Sequence, residues 1–184
     1  WKGLVGSEMC IRDSYETSDS RVNFGQVLQA GIVIADDKLN IQSRHELRCR
    51  LKPTVIPSIG ACLVHKIPVN ILKNSNKSHY EMVLEHYKLI KDNTPSIVMG
   101  FNQVAFDIEF YRRMLFKSLI PDVYQTNTNG NRHLDILNVT RAAKFADNES
   151  IKTILNEKNR DSFKLSDLST ANEINNGTSH DAIT

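Results

Sequence analysis

The chain has 184 residues, with 23 Lys+Arg against 21 Asp+Glu (net charge +2), 40% hydrophobic and 24% charged residues. That length suits one domain with a sizeable core, and those fractions exclude disordered and fibrous classes. No apolar run approaches the ~20 residues of a membrane span, and the near-balanced charge excludes a polybasic nucleic-acid binder, so an anionic substrate must be held by local basic residues or metal ions.

The first fourteen residues, WKGLVGSEMCIRDS, show neither a signal-peptide core nor a helix or strand period. Within them Leu4–Ser14 reads like a translated sequencing adapter, so residues 1–14 are set apart from the fold as an artefactual N-terminus. Val27–Ala35 is a β-branched apolar run closed by Asp36-Asp37, a strand and a turn. Glu46–Leu51 places Leu47, Cys49 and Leu51 on one face, the pattern of a half-buried second strand, with Asp36-Asp37-Lys38 as the hairpin connection. Pro53, Pro57 and Gly60 mark a loop. Ser78 caps a helix to about Asp92, and Ser96–Met99 is a short strand ending at Gly100. Val104–Leu119 and Leu134–Phe145 read as amphipathic helices, Asn148–Arg160 as a polar surface insertion, and Ser166–Glu173 as a short helix with Ser166 as N-cap. Three cysteines, Cys10, Cys49 and Cys62, form no disulfide framework or CxxC pair and read as reduced packing residues. Strands first, then strand–helix alternation, predict an α/β or α+β domain with a mixed sheet. No GxGxxG or GxxxxGK[ST] loop is present, so neither a dinucleotide fold nor a P-loop is supported.

Carboxylates stand where a hard divalent cation needs oxygen ligands. Glu16 precedes the first strong strand, Asp107 opens a helix after one, and His180 with Asp181 follows an Asn/Gly-rich loop. A histidine beside such a site can serve as a general base near neutral pH. Phe101 and Phe106 flank the Asp107 motif and are weighed as base-stacking groups against core packing. His79 and His86 read as surface residues, His65 and His133 as structural or solvent-facing, and Arg112 and Arg113 as a solvated helix face.

Taken together, Tyr15-Glu16-Thr17, the run Gly100–Asp107 (GFNQVAFD), Arg132–Arg141 (RHLDILNVTR) and the block Ser162–Asp181 (SFKLSDLSTANEINNGTSHD) resemble one family. It is the DEDD superfamily of 3′–5′ exonucleases, in its histidine-containing branch, and within that branch the exonuclease I family of bacteria, specific for single-stranded DNA. The likeness runs from Tyr15 to Thr184, and the Ser162–Asp181 block is its most specific part.

The resemblance implies a ribonuclease-H-like mixed sheet flanked by helices, spanning residues 15–184 and cut before its last helix. It implies a cytoplasmic enzyme acting on single-stranded DNA, with a single-strand DNA-binding protein as partner and no membrane. It makes Glu16 and Asp107 metal ligands, His180 the base that deprotonates water, and Thr17, Phe106 and Lys164 contacts to the nucleic acid. Its cofactor would be two Mg²⁺ ions, replaceable by Mn²⁺, roughly 3.5–4 Å apart. The family's first aspartate falls at Ser14, and its last falls just past Thr184. Since Ser14 closes the adapter-like stretch, a native aspartate there is read as overwritten. Asp13 is one position off, which along a strand turns its side chain to the opposite face. Ser18-Asp19 replaces an aromatic–glycine pair, and Lys164 an arginine. The same residues admit an RNA exonuclease, a polymerase-associated proofreading domain, or a non-catalytic nucleic-acid-binding module.

Overall fold

The computed structural model describes residues 9–174. Five strands form the main sheet: β1 (Met9–Thr17), β2 (Val27–Ala35), β3 (Ile41–Arg48), β4 (Ser96–Gly100) and β5 (Arg132–Asp135). Their spatial order is β3-β2-β1-β4-β5. β1 pairs antiparallel with β2 and parallel with β4, which in turn pairs parallel with β5. This is the mixed, helix-flanked α/β sheet that the sequence predicts.

The strand at the centre is the one the sequence conceals. β1 begins at Met9, inside the stretch set apart as structureless, and Cys10, Ile11 and Asp13 are buried. Ile11, Asp13, Tyr15 and Thr17 form its buried face and alternate with exposed Arg12 and half-buried Ser14 and Glu16. The period of two is present, but two of the four buried side chains are polar and the apolar signal is lost. β2, by contrast, is buried at all nine positions and spells that double cover in mostly apolar residues. β3 ends at Arg48 and starts earlier than expected, with Leu47 and Cys49 still pointing into the core.

Two short helices, α1 (Ile59–His65) and α2 (Val69–Asn74), occupy the predicted loop. α3 (His79–Asp92) carries the expected Ser78 cap as a full capping box, with Glu81 reaching back to the Ser78 amide at 2.7 Å. Its buried face, Met82, Val83, His86 and Ile90, recurs at helical spacing and packs on Ile11, Tyr15 and Tyr111 in one core. His86 and His79 are thus buried, not on the surface, and so is His65. A seven-residue spacing selects one face of a helix, and here it is the core face.

α4 (Asp107–Lys117) is shorter than the predicted helix at both ends. Phe106, at φ −130° and ψ −74°, and Leu119, at φ +58°, leave the helical region at its two ends. Arg132–Asp135, half of it read as helix, is β5, and α5 (Ile136–Ala146) starts behind it with Asp135 as its side-chain cap. Residues 154–162 of the polar region form a two-stranded hairpin, β6 (Ile154–Leu155) with β7 (Asp161–Ser162), exposed except at Ser162. α6 (Leu165–Ala171) is capped by the Lys164 backbone, so Ser166 lies within the helix and is not its N-cap.

Gly25 tests this packing. A Cβ there would sit 2.6 Å from the Asp19 carbonyl oxygen and 2.9 Å from the Phe110 ring, while one at Gly60 would meet nothing within 4 Å. Gly25→Ala is expected to cost about 1–3 kcal/mol by overpacking, whereas Gly60→Ala, inside α1, should be neutral or stabilising by up to about 1 kcal/mol. Urea unfolding of the two variants side by side checks both signs.

Candidate active site

Parallel strands bring their carboxyl ends to the same edge of a sheet. β1 and β4 do so here, from Met9↔Ser96 to Arg12↔Met99, so Glu16 near the end of β1 lies beside the loop that leads from β4 into α4. That loop is pinned from three sides. The Asp135 carboxylate accepts the amides of Asn102 (3.0 Å) and Val104 (3.3 Å) while also capping α5 through Leu137 (3.0 Å). The Gln103 side chain donates to the carbonyls of Val98 (2.8 Å) and Leu134 (3.1 Å). These bonds explain why GFNQ turns before the helix begins. The sequence marks the Asp135 segment as part of a motif but gives no hint of this pinning role.

The turn delivers Asp107 onto β1. Its Oδ1 accepts the Tyr15 amide at 3.2 Å, across 92 residues of chain. Asp107 is buried, and desolvation first, then repulsion from Asp13 and Glu16, pushes its pKa up to about 8. A carboxyl group so placed resists ionisation at neutral pH. The two residues that the sequence pairs as ligands are therefore brought together.

Ser14 and Glu16 lie on one face of β1, both half-buried, and Asp13 and Tyr15 on the other, both buried. Asp13 therefore points away from Ser14, as expected of a one-residue step. It enters the core, where it accepts the Tyr15 hydroxyl at 3.0 Å and leaves Oδ1 without a partner. Burial raises its pKa to about 6. His86 Nε2 lies 4.0 Å from Asp13, yet burial lowers that imidazole to about 3. At neutral pH the histidine is uncharged, and 4.0 Å is too long for a hydrogen bond, so this contact is not a salt bridge.

The remaining predicted residues are placed as follows. Thr17 is buried, with Oγ1 donating to the Asp19 carbonyl at 3.1 Å. Ser18 and Asp19 fold into the same turn, where Ser18 Oγ accepts the Gln26 amide and Asp19 binds Arg21 at 2.7 Å. Phe106 is half-buried and its ring packs on Phe110, centroids 4.9 Å apart; Phe101 is also half-buried. Lys164 is exposed at the start of α6. His133 is half-buried and bonds Thr126 at 2.8 Å. Arg112 pairs with Glu109 at 2.9 Å. His180 lies outside the described residues. Among those residues no group of three His, Cys, Asp or Glu side chains is arranged to hold a metal. Glu16 and Asp107 make a pair only. None of the described helices is long and apolar enough to cross a membrane.

In the unfolded chain Asp107 ionises near 4, in the fold near 8. Between those values the unfolded state has released its proton and the folded state has kept it, so stability falls as pH rises through the window. Asp107→Asn keeps an acceptor for the Tyr15 amide and removes the charge. Its stability relative to the parent should therefore climb from pH 4 to pH 8 and level off above, by roughly 1–4 kcal/mol. Thermal melts in EDTA across that range test the slope.

No family model matches the chain. An exodeoxyribonuclease I of Buchnera aphidicola subsp. Acyrthosiphon pisum is 26% identical over 170 residues, covering 92% of this chain and 41% of its own length. The chain spans 35–41% of the curated exodeoxyribonuclease I sequences that it matches over nine-tenths of itself. Escherichia coli exonuclease I, crystallised with a dT13 oligonucleotide, superposes with a TM-score of 0.88 at 23% identity, over 95% of this chain and 38% of the crystallised one. A complex described as ExoI/SSB-Ct gives 0.88 at 21% identity, over 97% and 39%. In sequence over most of its length, and in fold, the chain is exonuclease I-like.

Proposed function

We propose that the chain is the nuclease domain, with β1 from Met9 as its central strand, of a 3′–5′ exonuclease that hydrolyses single-stranded DNA to mononucleotides. The observation that supports this reading best is the meeting of Glu16 and Asp107 at the shared carboxyl edge of β1 and β4, in a fold shared with exonuclease I. A phosphodiester is anionic, and a site that presents two carboxylates to it needs cations.

Glu16 and Asp107 fit one Mg²⁺, which accepts one or two carboxylates and fills its shell with water or phosphate oxygens. When bound, such an ion neutralises phosphate charge and lowers the pKa of water. A second ion needs a further carboxylate. Position 14 is on the face of Glu16, so an aspartate there would supply it; Ser14 does not. Mn²⁺ is the alternative ion. His180 is assigned the general base, holding the proton taken from water. Thr17 is assigned backbone contact with the terminal nucleotide, since its hydroxyl is already engaged. Phe106 is assigned a base contact and Lys164 a phosphate contact. The E. coli enzyme was crystallised with single-stranded DNA, and an exonuclease I with SSB-Ct. Single-stranded DNA and a single-strand DNA-binding protein, in the bacterial cytoplasm, are accordingly the partners proposed here.

The test is release of nucleotides from 3′-labelled single-stranded DNA with Mg²⁺. The chain with Ser14 should cut near background, because catalytic groups acting as a unit lose nearly everything when one is missing. Ser14→Asp, in a chain carried past Thr184 to the family's final aspartate, should raise the rate by about 10²–10⁴-fold, the scale on which such groups act. Glu16→Gln or Asp107→Asn in that background should return it to background. Robust digestion by the Ser14 chain, or indifference to Asp107→Asn, would overturn the assignment; matched RNA oligomers separate DNA from RNA specificity.

A further inference from the structure

A second polar feature lies along α4, away from Asp107. A cavity of about 50 Å³ opens between α4, the start of α3 and the segment leading into β2. That is room for a few waters or a single phosphate, but not for a base. Lys52, Arg113 and Lys117 line it, with the Phe110 ring as apolar wall, and no carboxylate is among its lining residues. Among the described residues none of the three cations is in an ion pair. Lys117 donates to the Asn23 carbonyl at 2.9 Å, which fixes its ammonium group at the rim.

The fourth group is His79. It is only 6% exposed, lines the same cavity, and its imidazole makes no hydrogen bond among the described residues. Unlike Nε2 of His65 and His86, its ring nitrogens are not sealed from solvent, so an N–H there can donate to a ligand. Six residues of α4 separate Asp107 from Arg113, about 9 Å of helix, so one phosphate cannot serve both places.

We propose that this cavity is a phosphate-binding site, with Lys52, Arg113 and Lys117 as its cationic wall and His79 as a buried hydrogen-bond donor. Other features agree. Burial first, then the charges of Lys52 and Lys117, lowers His79 to about 4, and Lys117 is likewise lowered by burial and by Lys52 and Arg113. Like charges crowd one another here with nothing opposite in sign, and an anion would relieve all of them. The ligand chemistry is a phosphate oxygen cluster, available either from a strand's backbone or from a terminal phosphomonoester. The site needs neither Mg²⁺ nor cleavage, so its failure and that of the nuclease reading are separable.

The experiment is titration of the 184-residue protein with sodium phosphate in EDTA at pH 7, against sodium chloride of equal ionic strength, following the His79 ring resonances by NMR. Saturable displacement of the His79 signals by phosphate alone is expected. The double variant Lys52→Met/Arg113→Gln should bind at least about tenfold more weakly, since charge-assisted bonds carry the affinity. Should the double variant fail to fold, Arg113→Gln alone, at an exposed position, makes the same comparison. Competition then names the source: displacement by (dT)8 lacking terminal phosphates identifies a backbone phosphate, and displacement only by dTMP a phosphomonoester, and either upholds the site. A response identical to chloride, or undiminished binding by the variants, would overturn it.

Discussion

The bond from the Tyr15 amide to Asp107 is the constraint around which this domain is organised. It joins the central strand to the first turn of α4, and it does so with a carboxyl group that burial and neighbouring acids make reluctant to ionise. The geometry upstream serves that one placement. β1 and β4 must be parallel for their ends to meet, the GFNQ turn must be rigid for α4 to start where it does, and Asp135 and Gln103 make it so. The domain thereby concentrates negative charge at a sheet edge and accepts a local loss of stability, a common condition of sites meant to be completed by a ligand.

Charge is handled differently on the two sides of β1. On the face of Ser14 and Glu16 the strand end is half-exposed, open to water and to ions. On the other face Asp13 is sealed beneath α3 with Tyr15, His86 and Tyr111, the His86 ring lying 4.7 Å from Tyr111 and 5.6 Å from Tyr15. A carboxyl with an unsatisfied oxygen beside an imidazole with an unsatisfied nitrogen is a costly arrangement. Asp13 nonetheless reaches the active edge electrostatically, as the largest charge acting on Asp107. The residue that repels Asp107 most strongly thus sits on the face from which no ligand is expected.

What the sequence made legible follows from how each signal arises. β2, α3 and β4 announce themselves because their burial is spelled in apolar residues at a regular period, and Ser78 because capping is a local bond between near neighbours. β1 did not, since its buried face includes the polar Asp13 and Thr17 and its other face is charged or half-exposed, so its alternation is not spelled in apolar residues. The bounds of α4 and β5 were missed because they depend on Asp135 contacting Asn102 and Val104 from more than thirty residues away, a long-range bond without a local signature. His79 and His86 were misplaced because helical spacing tells which residues share a face, not which face is covered. The pairing of Glu16 with Asp107 was legible only through the family resemblance; composition and spacing placed each carboxylate at an element's edge but could not bring two edges together.

α4 also shows how one helix can serve two electrostatic environments. Its first turn carries Asp107 and Glu109, and its last turns carry Arg113 and Lys117, so its charges run from negative at the amino end to positive at the carboxyl end. That order complements the helix macrodipole and favours the helix itself. It also separates the two charge clusters by about 9–15 Å of rigid rod, at 1.5 Å per residue. Glu109 is paired with Arg112 at 2.9 Å, whereas Asp107 lies too far along the rod to meet Arg113 or Lys117. Phe106, just before Asp107, packs on Phe110 in the core, which anchors the negative end of the helix there.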